Sequence, residues 1–545
     1  MGIDVGTTAI SAALFNVQTK QLYPITWKDI NPQQGRSQSY KLPSVAYFPS
    51  TQTAPATALP TMVGYAAVQA QNAPAQGTSP TSDLLLHSFK PYLNIAIPFL
   101  SPQTHHWEPK IRQSDTRDIP LVVIQQTLMT LLKTLNHPQD SDWVCEATGL
   151  ATSGFRYALQ HLSGVILNHP FGASDAYRFN MREAVLSAGL VTQASQIFLL
   201  EETVAALLPE LSHLPAFVGK ATLAEPDLAV APIIVPAGKV VLVISAGAST
   251  TEMVLCSGGS ETKDASRADL YFRRVAYAGN ALDQDIICQL LLPTAQEWES
   301  LNLDTLNMPL PGEPDLTARY ALQQRLESVP LGQALLTAVR RIKPILCQQD
   351  VEFSLGNQQW TLKTADLQNW VINPFWQQVN RELTLLLNQL SVASDAIHRV
   401  ICTGGTASMP AIAQWVQQRF PNATVVLDEA NVEIAFPRVA CGLALLPAFP
   451  TMLDRIRHQY SDYYLLRELL QILPIYAEQA VSGSQLVKLL INQGISQHAS
   501  EAFVRTLLEG QLPPGLTWTK ASAVLLSPES AQNSTYQELS SEPLF

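Results

Sequence analysis

Charge is scarce in this chain of 545 residues: Asp, Glu, Lys and Arg together make up only 14%. Basic residues are the scarcer sign, 34 against 45 acidic, giving a formal net charge of −11. A general nucleic-acid binder needs a basic face to meet phosphates, so that class is set aside. Long apolar runs are missing as well. None approaches the ~18–20 residues that span a bilayer, so no membrane partner is expected, and no charged-then-apolar signal segment opens the chain. The six cysteines lie far apart without a CxxC pair. They read as reduced, buried thiols of a cytoplasmic protein, not as a disulfide frame or a zinc site. The ten histidines are equally scattered, and His105 with His106 falls in SPQTHHWEPK, read as a surface loop. What is plentiful is apolar, 47% of residues, enough for a large core and several domains.

The first ten residues, MGIDVGTTAI, place Asp4, Gly6, Thr7 and Thr8 at a turn between two apolar stretches. Glycine lets backbone N–H groups approach a phosphate, threonine adds hydroxyl donors, and a carboxylate at a strand end can hold hydrated Mg²⁺. An ordinary hairpin with polar turn residues explains the same letters, so both readings stand at this point.

Residues 28–117 read as loop-rich, with ordered pieces at KLPSVAYFP and LLLHSFKPYL. Helical spacing runs from 119 to 136, and WVCEATG reads as a strand. SDAYRFNMREAVLSAGL reads as a helix capped by Ser174 and ended near Gly189. IFLLEETVAALLPEL is a strand entering a helix. After the proline-rich LAEPDLAVAPIIVPAG, the run KVVLVISAGASTTEMVLC repeats the opening in outline: apolar strand, small-residue turn, returning strand. Two such units suggest two similar lobes closing on one ligand. A third small-residue turn, CTGGTASMP, follows the strand HRVICT and opens a helix, a position that admits a ligand or merely packs strand on helix. Residues 451–545 read as amphipathic helices, two of them closed by Gly494 and Gly510, with a polar frayed end.

Taken in order, these segments resemble the nucleotide-binding domain of the seventy-kilodalton heat-shock (DnaK-type) chaperones of the actin-like ATPase superfamily, over about residues 1–450. GIDVGTT is similar to the first phosphate loop, SFKPYL to the segment with the catalytic lysine, and LLEETVAALL to the acid-bearing helix. NHPFGASDAYRFNMREAVLSAGL resembles the proline-to-helix segment, YAGNALDQDI the Gly-Gly…Asp segment, and ICTGGTASMP the adenosine loop. The resemblance implies an α/β, two-lobed actin-like (ribonuclease H-like) fold. Its first lobe would cover 1–235 with a small subdomain at about 40–117. Its second would cover 236–420 with a subdomain at about 284–345, and 421–450 would return to the first. A helical extension would fill 451–545. It further implies ATP or ADP with Mg²⁺ as ligands. Asp4 would take the metal, and Lys90, Glu202 and Thr7 the catalytic roles. Nucleotide would meet Gly6, Thr7, Thr8, Gly247, Ser249, Thr250, Gly279, Lys343, Gly404, Gly405 and Ser408, with Pro170 and Arg178 as the interlobe relay. From the residues alone, Lys90 also fits a solvated lysine, Glu202 a helix N-terminal acid, and Arg178 a partner for an acid on its own helix.

The sequence departs from that family at telling places. Ser245 stands where the second phosphate loop has an aspartate, and Ala248 and Ser249 replace two of its glycines. Ser408 replaces the arginine that stacks on the base, Pro344 and Cys347 an arginine and a serine, and Thr203 a proline. Losing one positioned acid–base group typically costs about 10²–10⁴ in rate, and losing the stacked cation roughly 0.5–2 kcal/mol. The tail is too short and too helical for the family's peptide-binding β-sandwich. The expectation is therefore a chaperone-like ATP-binding switch with weak or lost ATPase activity, meeting a co-chaperone or protein partner through the second lobe or residues 451–545. The alternatives are a non-enzymatic scaffold whose tail docks a partner, a sugar kinase, and a filament-forming relative.

Overall fold

The opening residues form a hairpin, Gly2–Val5 against Ala9–Asn16, with Asp4 opposite Ser11. The computed structural model describes residues 1–29, 38–48, 60, 62–72, 84–94, 98–100, 107–114, 117–136, 143–173, 175–211, 240–257, 266–294, 301–356, 358–428, 436–453, 465, 469, 481–492 and 497–509. Within them the architecture is mixed α/β with several sheets. The hairpin continues into a third antiparallel strand, Gln21–Asp29, which the sequence reading left unassigned. On its other edge Gly2–Val5 pairs parallel with Val165–His169, which pairs parallel with Ile197–Glu201. Trp143–Ala147 extends the far side next to Gln21–Asp29.

A second sheet has the same plan. Val240–Ala246 pairs antiparallel with Thr251–Ser257, and that strand with Leu270–Val275. On the other edge Val240–Ala246 pairs parallel with Ile397–Thr403, and that with Thr424–Leu427. Every residue of Val165–His169 and of Val240–Ala246 is buried. Strands covered on both faces read as unbroken apolar runs, as VVLVI does.

What covers both sheets is the helix Glu202–Leu211. Thr203 to Pro209 and Leu211 are all buried, so the helix is apolar around its whole circumference. It packs on strands of both sheets, and one apolar cluster joins Ile166 and Leu200 to Val204, Leu207, Val243 and Ile401. Full burial of such side chains contributes roughly 1.5–3 kcal/mol each. The helix Arg438–Leu445 crosses it and lies on Gly2–Val5 and Ala9–Asn16. Its approach needs glycine: a Cβ on Gly442 would stand 1.7 Å from the Ala205 carbonyl oxygen, and one on Gly2 2.3 Å from that of Ala440. Gly2 therefore serves packing. Glu210 closes the far end, accepting from Arg399 at 2.8 Å and from Arg438, which also holds Asp428 at 2.7 Å.

One expectation changes, and two elements were not foreseen. SPQTHHWEPK is not all loop: Trp107–Ser114 is a strand between Pro98–Leu100 and Arg117–Pro120. Proline reads as a strand breaker, but Pro109 sits at the end of one ladder, opposite Pro98. The hairpin Val351–Leu355 with Gln358–Leu362 and the helix Asn373–Gln389 went unread. The helix expected over 119–136 spans Leu121–Lys133, and the one before Gly189 spans Asp175–Ser187, with Gly189 at φ +69°. In the tail, Gly483–Asn492 packs on Gln497–Leu508. Ser174, His105, His106, Gly494, Gly510, the 223–238 link and residues 510–545 lie outside the described residues. Among the described residues no helix is long and apolar enough to cross a membrane.

Candidate functional site

The turn of each first hairpin reaches one shared cleft of about 450 Å³. Each turn is closed by its own backbone: Gly6 N–H donates to Ala9 O at 2.9 Å, and Gly247 N–H to Thr250 O at 3.2 Å. Across the gap the hydroxyls of Thr7 and Ser249 stand 3.3 Å apart, near enough for both to reach one ligand oxygen. The third turn is fastened to the second. Thr406 N–H donates to Ala246 O at 2.9 Å, and the Thr406 hydroxyl to Gly247 O at 2.6 Å. Gly404 sits there at φ +92°, where a Cβ would also meet Ala246 O at 2.5 Å, so glycine is required. The helix Gly279–Ile286 starts on the same turn, with Gly279 N–H on Gly247 O at 3.1 Å and Asn280 N–H on Ala248 O at 2.7 Å.

At the inner end three charged groups meet around Asn168. This fully buried amide donates to Asp4 Oδ1 at 2.7 Å and to Glu202 Oε2 at 3.2 Å, while its oxygen accepts Val5 N–H at 2.7 Å. Lys90 Nζ donates to the same Glu202 oxygen at 3.2 Å, and Ser245 Oγ to Glu202 Oε1 at 2.9 Å. Burial alone would raise Glu202. Lys90 beside it and the bonds from Ser245, Lys90 and Asn168 outweigh burial and hold the carboxyl below its ordinary range. Burial likewise favours neutral Lys90, yet Glu202 keeps the ammonium above its ordinary range. Asp4 has less help. Burial first, then the Glu202 charge, push it up to about 7.

The cleft floor also joins the two sheets. After Pro170, the Phe171 N–H donates to both oxygens of Glu252, at 3.1 Å each, and Arg274 donates to Phe171 O at 3.2 Å. The Phe171 and Phe272 rings stack with centroids 4.7 Å apart. Burial, and then the Glu202 charge, raise Glu252 to about 8. At the outer end, Asp283 takes Lys343 Nζ at 2.6 Å and faces Arg340 Nε at 3.6 Å. Among the described residues lining the cleft, the basic side chains are Lys41, Lys90, Arg274, Arg340 and Lys343, against the acids Asp4, Glu202 and Asp283. An acidic protein thus presents a cleft with net positive charge, suited to an anion.

No family model and no curated protein matches this chain. The site is therefore read from its own residues. Asp4, Gly6, Thr7, Thr8, Lys90, Pro170, Glu202, Gly247, Ser249, Thr250, Gly279, Lys343, Gly404 and Gly405 all line the cleft. Two expected residues do not. Ser408 turns its hydroxyl back onto Gly404 O at 3.0 Å, four residues behind in the same turn, and Arg178 lies half-buried on the helix Asp175–Ser187. Sequence reasoning missed Asn168, Glu252, Arg274 and Arg340. Only Glu252 carried a local signal, an acid in register with Ser245 on the second hairpin.

Among the described residues no group of three or more His, Cys, Asp or Glu could hold a metal ion. Hydrated Mg²⁺ needs only one or two carboxylates. Asp4 fits that demand: it is desolvated, faces a second carboxylate, and is held by a neutral amide, so a divalent cation would offset what raises its proton affinity.

Proposed function

We propose that the protein is a two-lobed, actin-like, nucleotide-responsive protein of the DnaK type that binds ATP with Mg²⁺ and hydrolyses it weakly or not at all. One observation carries the reading: two sheets that share a five-strand order bring their first turns, Thr7 and Ser249, to 3.3 Å across a cationic cleft. Such turns suit a triphosphate, with hydroxyl and backbone donors from both sides. Lys90 would neutralise charge developing on the terminal phosphate, and Glu202, held ionised, would orient water. Mg²⁺, held beside Asp4, would neutralise phosphate oxygens. Hydrolysis is weak in this reading because Ser245 supplies a hydroxyl already spent on Glu202 where the resembled family has a carboxylate. The link from Pro170 and Phe171 to Glu252 and Arg274 gives the cleft a contact through which occupancy would alter how the halves meet. A co-chaperone or other protein partner at the second lobe or at 451–545 would read that change.

Calorimetric titration with ATP and Mg²⁺ tests the reading. Saturable binding that Lys90→Ala weakens is expected, and no binding at millimolar nucleotide refutes it. The Ser245–Glu202 bond favours a second reading, a scaffold whose inner cleft is complete without ligand. Pull-down of one stable protein by the full chain, indifferent to ATP, would select it.

A further inference from the structure

The outer end of the cleft is lined by two cations, Arg340 and Lys343, with Asp283 paired to both and the Glu327 carboxyl, raised by burial, within electrostatic reach of Arg340. Arg340 and Lys343 lie three positions apart on the helix Pro330–Leu346, hence on one face. They share one enclosed carboxylate, Asp283, which Lys343 approaches at 2.6 Å and Arg340 at 3.6 Å. Among the described residues Arg340 Nη2 is enclosed without a hydrogen-bond acceptor. The first half faces it with His87, whose imidazole is pushed down to about 4 by burial and then by the Arg340 charge, so it stays neutral and adds no third cation. The location is also fixed. Lys343 Nζ donates to Gly279 O at 3.0 Å, and Gly279 N–H bonds the second turn at Gly247 O. The cation pair is thus next to the place where phosphates are read, and the part of a nucleotide next to its 5′-phosphates is the ribose.

We propose that Arg340 and Lys343 form a second anion subsite, and that the preferred ligand is a nucleotide phosphorylated on the ribose, at the 2′ or 3′ position, as well as at the 5′ end. The proposal rests on the nucleotide reading above. A ribose with free hydroxyls leaves a forked guanidinium without a matching acceptor, whereas a phosphate monoester offers bidentate geometry. A base stacked on Arg340 would engage the face of the guanidinium and leave Nη2 without an acceptor, which a phosphate oxygen supplies.

Calorimetric titrations of AMP, adenosine 2′,5′-bisphosphate, adenosine 3′,5′-bisphosphate and ATP into the wild type, R340Q and K343Q test this. In the wild type one bisphosphate is expected to bind about tenfold or more tightly than AMP, the gain of one charge-assisted pair. The isomer that does so identifies the ester position. In R340Q that ratio is expected to collapse to within about threefold. A wild-type ratio near one, with ATP still binding, overturns the subsite and leaves the nucleotide reading in place. A ratio kept in both R340Q and K343Q also overturns it. If no adenosine phosphate binds, the nucleotide reading falls and this inference with it. Should R340Q melt below the wild type, R340K keeps the charge without the fork, and a ratio intermediate between wild type and one is the expected result; an unchanged ratio counts against the proposal.

Discussion

Glu252 makes the stability of this protein depend on pH in a direction opposite to most acids. Its carboxyl is 3% exposed and raised from an ordinary 4.5 to about 8 by burial and by Glu202. A carboxyl protonated more readily in the folded state contributes stability that is full below pH 4.5 and is lost as pH rises through about 8. At about 1.4 kcal/mol per pH unit, the loss between pH 5 and 8 is roughly 3–4 kcal/mol. Glu252→Gln removes the titration while keeping an oxygen for the Phe171 N–H. Urea denaturation followed by tryptophan fluorescence at pH 5.5, 7 and 8.5 reads the effect. E252Q is expected to be the more stable by roughly 1 kcal/mol at pH 5.5 and by roughly 4–5 kcal/mol at pH 8.5. Asp4, also raised, tilts both curves alike, so the difference between them isolates Glu252. Parallel curves across that range would refute the reasoning.

Three further outcomes are expected. Ser245→Asp replaces the donor to Glu202 Oε1 with a fourth acid near Asp4, Glu202 and Glu252; its melting temperature is expected to drop without Mg²⁺ and to recover with millimolar Mg²⁺, read by calorimetry. Gly442→Ala puts a Cβ 1.7 Å from the Ala205 oxygen, so a loss of roughly 3 kcal/mol or more, or failure to fold, is expected by urea titration. Ser408→Ala removes only a bond to Gly404 O, and ATP affinity by calorimetry is expected to stay within about twofold.

Much of the site was legible because its parts are local. Asp4, Gly6, Thr7 and Thr8 fall within one turn, and a small-residue bend after an apolar strand recurs at Gly247 and Gly404. The strand–helix junction at Glu202 was equally plain, since the apolar run IFLL gives way to two acids and then an apolar helix. What was illegible is what register decides. Asn168 lies 164 residues from Asp4, and nothing in NHP says that its amide will bridge two carboxylates. Ser245 looked like a missing acid; its bond to Glu202 exists only because a helix from one sheet begins against a strand of the other. Ser408 was placed by analogy, and a single backbone bond turned it away. The strand Gln21–Asp29 was hidden by Pro24 in its middle, opposite Ala13.

The helix Arg438–Leu445 has a consequence for biosynthesis. It caps Ala13 and Leu22 with Ala440, Cys441 and Ala444, which a ribosome delivers more than 400 positions later. At roughly 5–20 residues per second the nascent chain waits on the order of 20–90 s for its own lid. During that interval the strands it covers present greasy surface to solvent or to whatever shelters them. Fragments ending before position 438 would never escape that condition, so expression of the first 235 residues alone is expected to yield inclusion bodies, while a chain carried through 453 has the piece that lets them become soluble.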